Sequence, residues 1–236
     1  MNTFKKTVVY SLIAVSLLLV SYVSVCVLWC GSTITETAVF LWRFAEQPES
    51  MGAVAPSSRH LAEALSEYVQ PGTVLEPRRF LEVGPGTGAV TQEIVKHVGP
   101  ADCLDVVELD GELAQMLREK YAGEPRVCVH HCSIVDWKPS YAYDAVVVGV
   151  PFNALPHSLV QEIWEHLKTL SKTGATTAYF SYWGLPEVKK ALLSKEERRD
   201  FKKIQKYLKA LYHAHGTGKK KIWPNVPPAV VRYLRF

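Results

Sequence analysis

Apolar and polar positions follow three different rhythms along this chain. Residues 8–29 form one uncharged apolar run, long enough at about 1.5 Å per residue to cross a bilayer core of about 30 Å. This predicts a transmembrane helix. A cleaved secretory signal fits less well, because signal cores are shorter and Leu28-Trp29-Cys30-Gly31 has no small-x-small cleavage site. Helical spacing follows over 35–43 and stops at Pro48, with Val39, Trp42 and Phe44 as its apolar positions. Ser57 and Ser58 cap a second helix over 59–69 that ends before Pro71 and Gly72.

From residue 79 short apolar runs alternate with amphipathic stretches, the rhythm of a parallel sheet covered on both faces. It predicts strands at 79–83, 103–108, 127–131, 143–149 and 176–182, and helices at 90–97, 111–121 and 158–170. The closing 229–236 reads as an edge strand. The third rhythm lies between 186 and 223, where twelve Lys and Arg residues face four acidic ones. Phe201, Ile204, Leu208 and Leu211 recur there at helical spacing, predicting a helix with one apolar and one cationic face. An anionic membrane surface would suit that face; an ordinary solvated helix packed on the sheet is the plainer alternative.

Composition is that of a globular chain, with 48% hydrophobic and 21% charged residues among 236 and a net charge of +4. The length accommodates one α/β domain with an appendage. Five cysteines, Cys26, Cys30, Cys103, Cys128 and Cys132, contain no Cys-x-x-Cys pair, so neither a disulfide framework nor a metal site is expected.

The sharpest chemical signal is Arg79-Phe80-Leu81-Glu82-Val83-Gly84-Pro85-Gly86-Thr87-Gly88, an apolar run ending in alternating glycines. It reads as a buried strand turning into a helix, with glycine where a side chain would keep a ligand from the backbone. Glu108 closes the next apolar run, where a carboxylate can accept both hydroxyls of a ribose. A dinucleotide loop would read Gly-x-Gly-x-x-Gly; alternating glycines behind the carboxylate of Glu82 suit a cationic amino-acid moiety better than a phosphate.

This loop resembles the first motif of class I S-adenosylmethionine-dependent methyltransferases. Further stretches, Phe40-Leu41-Trp42-Arg43-Phe44, Met51 to Arg59, Gly149 to Pro156 and Asn225-Val226-Pro227-Pro228-Ala229, are similar to the bacterial phospholipid N-methyltransferases. These in turn resemble the ribosomal RNA adenine dimethyltransferases, whose Asn-x-Pro-aromatic motif corresponds here to Gly149-Val150-Pro151-Phe152. The resemblance implies an α/β fold with a seven-stranded, mostly parallel, Rossmann-like sheet. The resemblance begins at about Phe40, and with the apolar run taken as an anchor (1–30) the chain divides further into a helical lead-in (31–78) and a methyltransferase domain (79–236). The same resemblance implies S-adenosylmethionine as cofactor, with Glu82, Gly84, Gly86 and Gly88 at the methionine end, Glu108 at the ribose, Ser133 and Ile134 at the adenine, and Gly149 beside the methyl group. Cys132 stands where such enzymes often carry an aspartate.

Methyl transfer from a sulfonium needs a neutral amine in line with the methyl carbon, and Asn153, His157 and Tyr182 are the candidate orienters or proton acceptors. Trp183 or Phe152 could hold a cationic product against a ring face. The expected substrate is the amine of a phospholipid head group such as phosphatidylethanolamine. Ribosomal RNA adenine is the alternative, and a membrane-tethered binding module without turnover is the other. Lys5 and Lys6 favour a cytoplasmic N-terminus, while a cofactor made in the cytoplasm favours placing the catalytic domain there. The expectation is a single-pass membrane protein with its catalytic domain on the cytoplasmic side.

Overall fold

The computed structural model describes residues 57–183, 195–225 and 228–236. The expected membrane span at 8–29 and the helix at 35–43 lie outside the described residues. Among these residues no helix is long and apolar enough to cross a membrane.

Seven strands, β1 (Arg79–Val83), β2 (Cys103–Glu108), β3 (Val127–His131), β4 (Tyr143–Val148), β5 (Ser171–Tyr182), β6 (Gly216–Ile222) and β7 (Ala229–Arg235), form one sheet in the order β3-β2-β1-β4-β5-β7-β6. Neighbours among β1 to β5 pair in parallel, and β7 runs antiparallel to both β5 and β6. The helices are α1 (Arg59–Ser66), α2 (Ala89–Val95), α3 (Gly111–Lys120), α4 (His157–Leu170) and α5 (Lys195–His215).

Strand residues alternate between two apolar layers, as the period of two requires when both faces are covered. Phe80, Leu104, Val106, Ala145, Val147, Ala178 and Phe180 join Leu61 and Leu65 of α1 and Ile94 of α2. On the other face Leu81, Val107, Val146, Val148 and Tyr179 meet Trp164 and Leu167 of α4 and Ile204 and Leu208 of α5. Each fully buried aliphatic side chain contributes about 1.5–3 kcal/mol.

Helix α1, within the expected lead-in, is thus part of the domain's core. Ser58 caps it by accepting a bond from the Leu61 amide. The Ser58 amide in turn donates to Oδ1 of buried Asn225, 167 positions away. Two stretches that carried the family resemblance are therefore bonded to each other.

One expectation is corrected. The closing segment is an inner strand between β5 and β6, not an edge, and the edge is β6, which hydropathy did not mark. Gly216-Thr217-Gly218-Lys219-Lys220-Lys221-Ile222 has only one buried residue, Ile222, and its exposed lysines suit an edge that must repel other strands. The amphipathic helix forms as α5, with Phe201, Ile204, Leu208 and Leu211 buried in the protein and Lys202, Lys203, Lys206 and Lys209 facing solvent.

Candidate cofactor and substrate site

The parallel strands all end at one edge, and β1 leaves it through three glycines with positive φ, Gly84 (67°), Gly86 (57°) and Gly88 (80°). L-residues rarely adopt this region, which explains the alternating pattern. The three are not equivalent. A Cβ on Gly84 would approach Val150 at 3.1 Å, and one on Gly88 would meet Leu117 at 2.7 Å, so these keep the loop against its neighbours. A Cβ on Gly86 would meet nothing within 4 Å. Gly86 alone borders open space, the place for a ligand.

Two carboxylates stand behind this loop. Glu82 is 1% exposed on β1, and its Oε2 has no hydrogen-bond partner among the described residues. Burial pushes its carboxyl up to about 8; nearby Thr91 pulls the other way and the charge of Glu108 adds to the rise. A buried, unsatisfied carboxyl is costly unless something completes it. Glu108, at the end of β2, accepts from the Gly86 amide at 3.1 Å and the Asp110 amide at 2.9 Å, one on each oxygen. Burial raises its pKa despite these bonds. Each oxygen keeps a second lone pair for a hydroxyl.

Beyond Glu108 the edge turns to β3. The Cys132 amide donates to the Glu108 backbone carbonyl at 3.1 Å, so the chain leading into Ser133 and buried Ile134 leaves from the end of β2. Ser133 opens a single helical turn over Ile134–Asp136, its side chain making no capping bond. Burial first, then Asp136, raise the Cys132 thiol pKa, so it is no substitute for an aspartate charge. Leu109, next to Glu108, is an apolar side chain left 71% exposed at this edge.

At the end of β4 a Cβ on Gly149 would lie 2.4 Å from the Gly84 carbonyl oxygen. This is why glycine occupies the position where the adenine dimethyltransferases were expected to carry asparagine. Asn153 follows in a short turn and accepts a bond from Gln205 of α5 at 2.6 Å. His157 begins α4, its amide bonded to Asp200 and its ring edge-on to Tyr207, both on α5. Asn153 and His157 therefore come together against α5. Tyr182 does not join them, because it is buried in the α1 layer beside Phe180. Phe152 packs in the core against Trp164 and Tyr179, away from any product.

Trp183 follows β5 and Trp223 follows β6, on either side of the start of β7. They are 55% and 56% exposed, with ring centroids 5.3 Å apart, and Lys221 lies 6.0 Å from the Trp223 ring. Because β6 runs parallel to β5, this aromatic pair stands on the same edge as the glycine loop.

Residues 59–194, more than half of the chain, match the family model for ribosomal RNA adenine dimethylase. The chain belongs to the ribosomal RNA adenine dimethylase family. Within it the chain is a class I S-adenosylmethionine-dependent methyltransferase with the seven-stranded fold expected of one. A ribosomal RNA small subunit methyltransferase A from Parasynechococcus marenigrum is 37% identical over 79 residues, 32% of this chain and 26% of that protein. The chain thus matches about a quarter of that relative's length. An ornithine lipid N-methyltransferase from Singulisphaera acidiphila is 26% identical over 144 residues, 58% of this chain and 73% of that protein.

Among solved structures, an O-methyltransferase from Bacillus cereus in complex with SAH superimposes with a TM-score of 0.59 at 12% identity, covering 90% of this chain and 96% of that one. The N-methyltransferase NodS from Bradyrhizobium japonicum gives 0.55 at 11%, covering 75% and 93%. These likenesses show the fold. The adenine dimethylase family uses S-adenosylmethionine, and the residues at the edge suit it. The unpartnered Oε2 of Glu82 matches a cationic methionine end, the void at Gly86 admits a ligand, and Glu108 has acceptors for a ribose.

Proposed function

We propose that this methyltransferase moves methyl groups from S-adenosylmethionine to the amine of a phospholipid head group at a membrane surface. The observation that carries the reading is the exposed Trp183–Trp223 pair beside Lys221, on the edge that holds the glycine loop. Indole rings favour the water–lipid boundary, and exposed lysines favour anionic head groups. The more extended match to a lipid N-methyltransferase, 58% of the chain against 32% for the ribosomal RNA relative, supports the same choice. The apolar run at 8–29 would tether the chain to the bilayer, with the catalytic domain on the cytoplasmic side where the cofactor is made.

S-adenosylmethionine supplies an electrophilic methyl group, so the chain's own work is binding, alignment and proton removal. Glu82 would face the methionine ammonium, with Gly86 clearing its path and Gly84 seating the loop against Val150. Glu108 would accept the ribose hydroxyls. Leu109, Ser133 and Ile134 would border the adenine. Gly88 and Gly149 act one step back, allowing the loop to seat against α3 and β4. Asn153 and His157, set together against α5, are the proposed orienter and proton acceptor for the incoming amine. Tyr182, buried in the other layer, is left to packing.

Ribosomal RNA adenine is the second reading, favoured by the family match itself. The two separate in one experiment. The full chain, given labelled S-adenosylmethionine, anionic vesicles containing phosphatidylethanolamine, and ribosomal RNA, is expected to label the lipid. Label in RNA with none in the lipid extract overturns the proposal.

A further inference from the structure

Away from the cofactor edge, the β2–β3 pair gathers thiols and a carboxylate that the methyltransferase chemistry does not use. Cys103 and Asp105 alternate along one face of β2, and the register sets Cys128 of β3 opposite Asp105. The two thiols and one carboxylate oxygen lie within 4.8 Å of one another. Sequence spacing hid the cluster, because 25 positions separate its cysteines and the two strands bring them together.

We propose that Cys103, Asp105 and Cys128 bind a thiophilic divalent cation, with zinc as the ion whose preferences they match. Two thiolates and a carboxylate are ligand types that zinc accepts, with metal–ligand distances of about 2.0–2.3 Å. The carboxylate is already aimed. Asp105 Oδ1 lies 2.6 Å from His130 Nε2, and its Oδ2 accepts from Tyr141 at 2.8 Å and Tyr143 at 3.0 Å. His130 is itself stacked on Trp137 with ring centroids 4.0 Å apart. Hydrogen-bonded supports of this kind fix the orientation of metal-ligating carboxylates. Oδ1 keeps a lone pair beside His130, and exposed Cys128 on the outer strand gives an ion its route in.

A disulfide is the other use of two neighbouring thiols, and the register disfavours it. Cys128 lies opposite Asp105, two residues along from Cys103, so strand spacing and rise place their Cα atoms about 8 Å apart. Disulfides need about 4.4–6.8 Å. A metal ion bridges the wider gap. On binding, both thiol protons leave to solvent, and two sulfur–metal bonds and one oxygen–metal bond form. Solvent takes the fourth position. The ion would pin the outer strand β3 to β2, about 10–16 Å along β2 from Glu108.

The test uses the reduced full chain titrated with Co²⁺, read by thiolate-to-cobalt charge-transfer absorption and tetrahedral visible bands. One equivalent is expected, displaced by Zn²⁺, with the melting temperature raised by either ion. Cys103→Ser and Cys128→Ser should each weaken the affinity at least about tenfold, while Cys132→Ser leaves it unchanged. Circular dichroism, unchanged in all three variants, and cofactor binding, unchanged in Cys103→Ser and Cys128→Ser, check that each has folded. Absence of the bands in the wild type, their survival in the Cys103→Ser/Cys128→Ser double variant, or their loss in Cys132→Ser would overturn the site. So would a chain two hydrogens lighter that takes up no metal, which marks a disulfide instead.

Discussion

The β1–β2 end of the sheet and the β5–β6 end open onto the same edge with opposite chemistry. At the first, carboxyl groups are buried: Glu82 is enclosed, and Glu108 is nearly so and tied to backbone amides. At the second, Trp183, Trp223 and Lys221 stand in solvent. A buried carboxyl with an open acceptor is prepared for one small cationic ligand at a fixed place. Exposed rings and lysines commit to a surface and not to a point. The difference separates a part shared by many methyltransferases from the part on which the proposed lipid substrate rests.

The largest effect should come from filling the void at the first end. Gly86→Val is expected to weaken S-adenosylmethionine binding at least about 100-fold, equivalent to a block of about 3 kcal/mol, measured by calorimetry. Its left-handed φ adds strain of about 1–2 kcal/mol, so the variant should stay folded by circular dichroism. Gly149→Ala makes the control, because its Cβ strikes the Gly84 carbonyl and should cost about 1–3 kcal/mol of stability instead. If both variants lost only stability, the distinction between a ligand-facing and a packing glycine would fall.

A smaller effect is expected at the second end. Trp183→Ala with Trp223→Ala should lower affinity for anionic vesicles about tenfold, or about 1.4 kcal/mol, and leave cofactor affinity unchanged. Co-sedimentation of the chain lacking residues 1–42 would remove the contribution of the apolar run. Unaltered partitioning would detach the aromatic edge from the membrane and with it the lipid reading's main support.

The first end can also be probed by pH. Glu82 has an ordinary value of 4.5 and a folded value of about 8, so between these the unfolded chain ionises while the folded one holds its proton. The unfolded state binds fewer protons there, and the Glu82 contribution to stability falls as pH rises toward 8, then levels. Glu82→Gln should flatten that slope in urea midpoints of the cofactor-free chain. Cofactor binding near neutrality should release a proton in the wild type and none in the variant, visible as buffer-dependent heat. Equal slopes in the two chains would mean Glu82 is already ionised.

The same contrast governs what could be read before folding. Residues 79–83, 103–108 and 127–131 were legible as strands to the residue, since buried parallel strands are short apolar runs between turns. Glu82, Gly84, Gly86, Gly88 and Glu108 were legible because backbone geometry restricts positive φ to glycine and acids rarely end apolar runs without cause. Strand β6 was not legible. Its glycines and lysines have no strand preference of their own and pair only because β7 offers an edge.

By itself, then, the chain's order of residues determined the alternating fold, the cofactor loop and the amphipathic helix α5, all consequences of local periodicity and backbone sterics. Only the tertiary structure decided that α5 spends its apolar face on the sheet, that β7 lies inside, that Gly86 alone among the three loop glycines faces a void, and that Cys103 meets Cys128. Each of these depends on which segments become neighbours, and contacts between residues 25 to 167 positions apart leave no trace in local pattern.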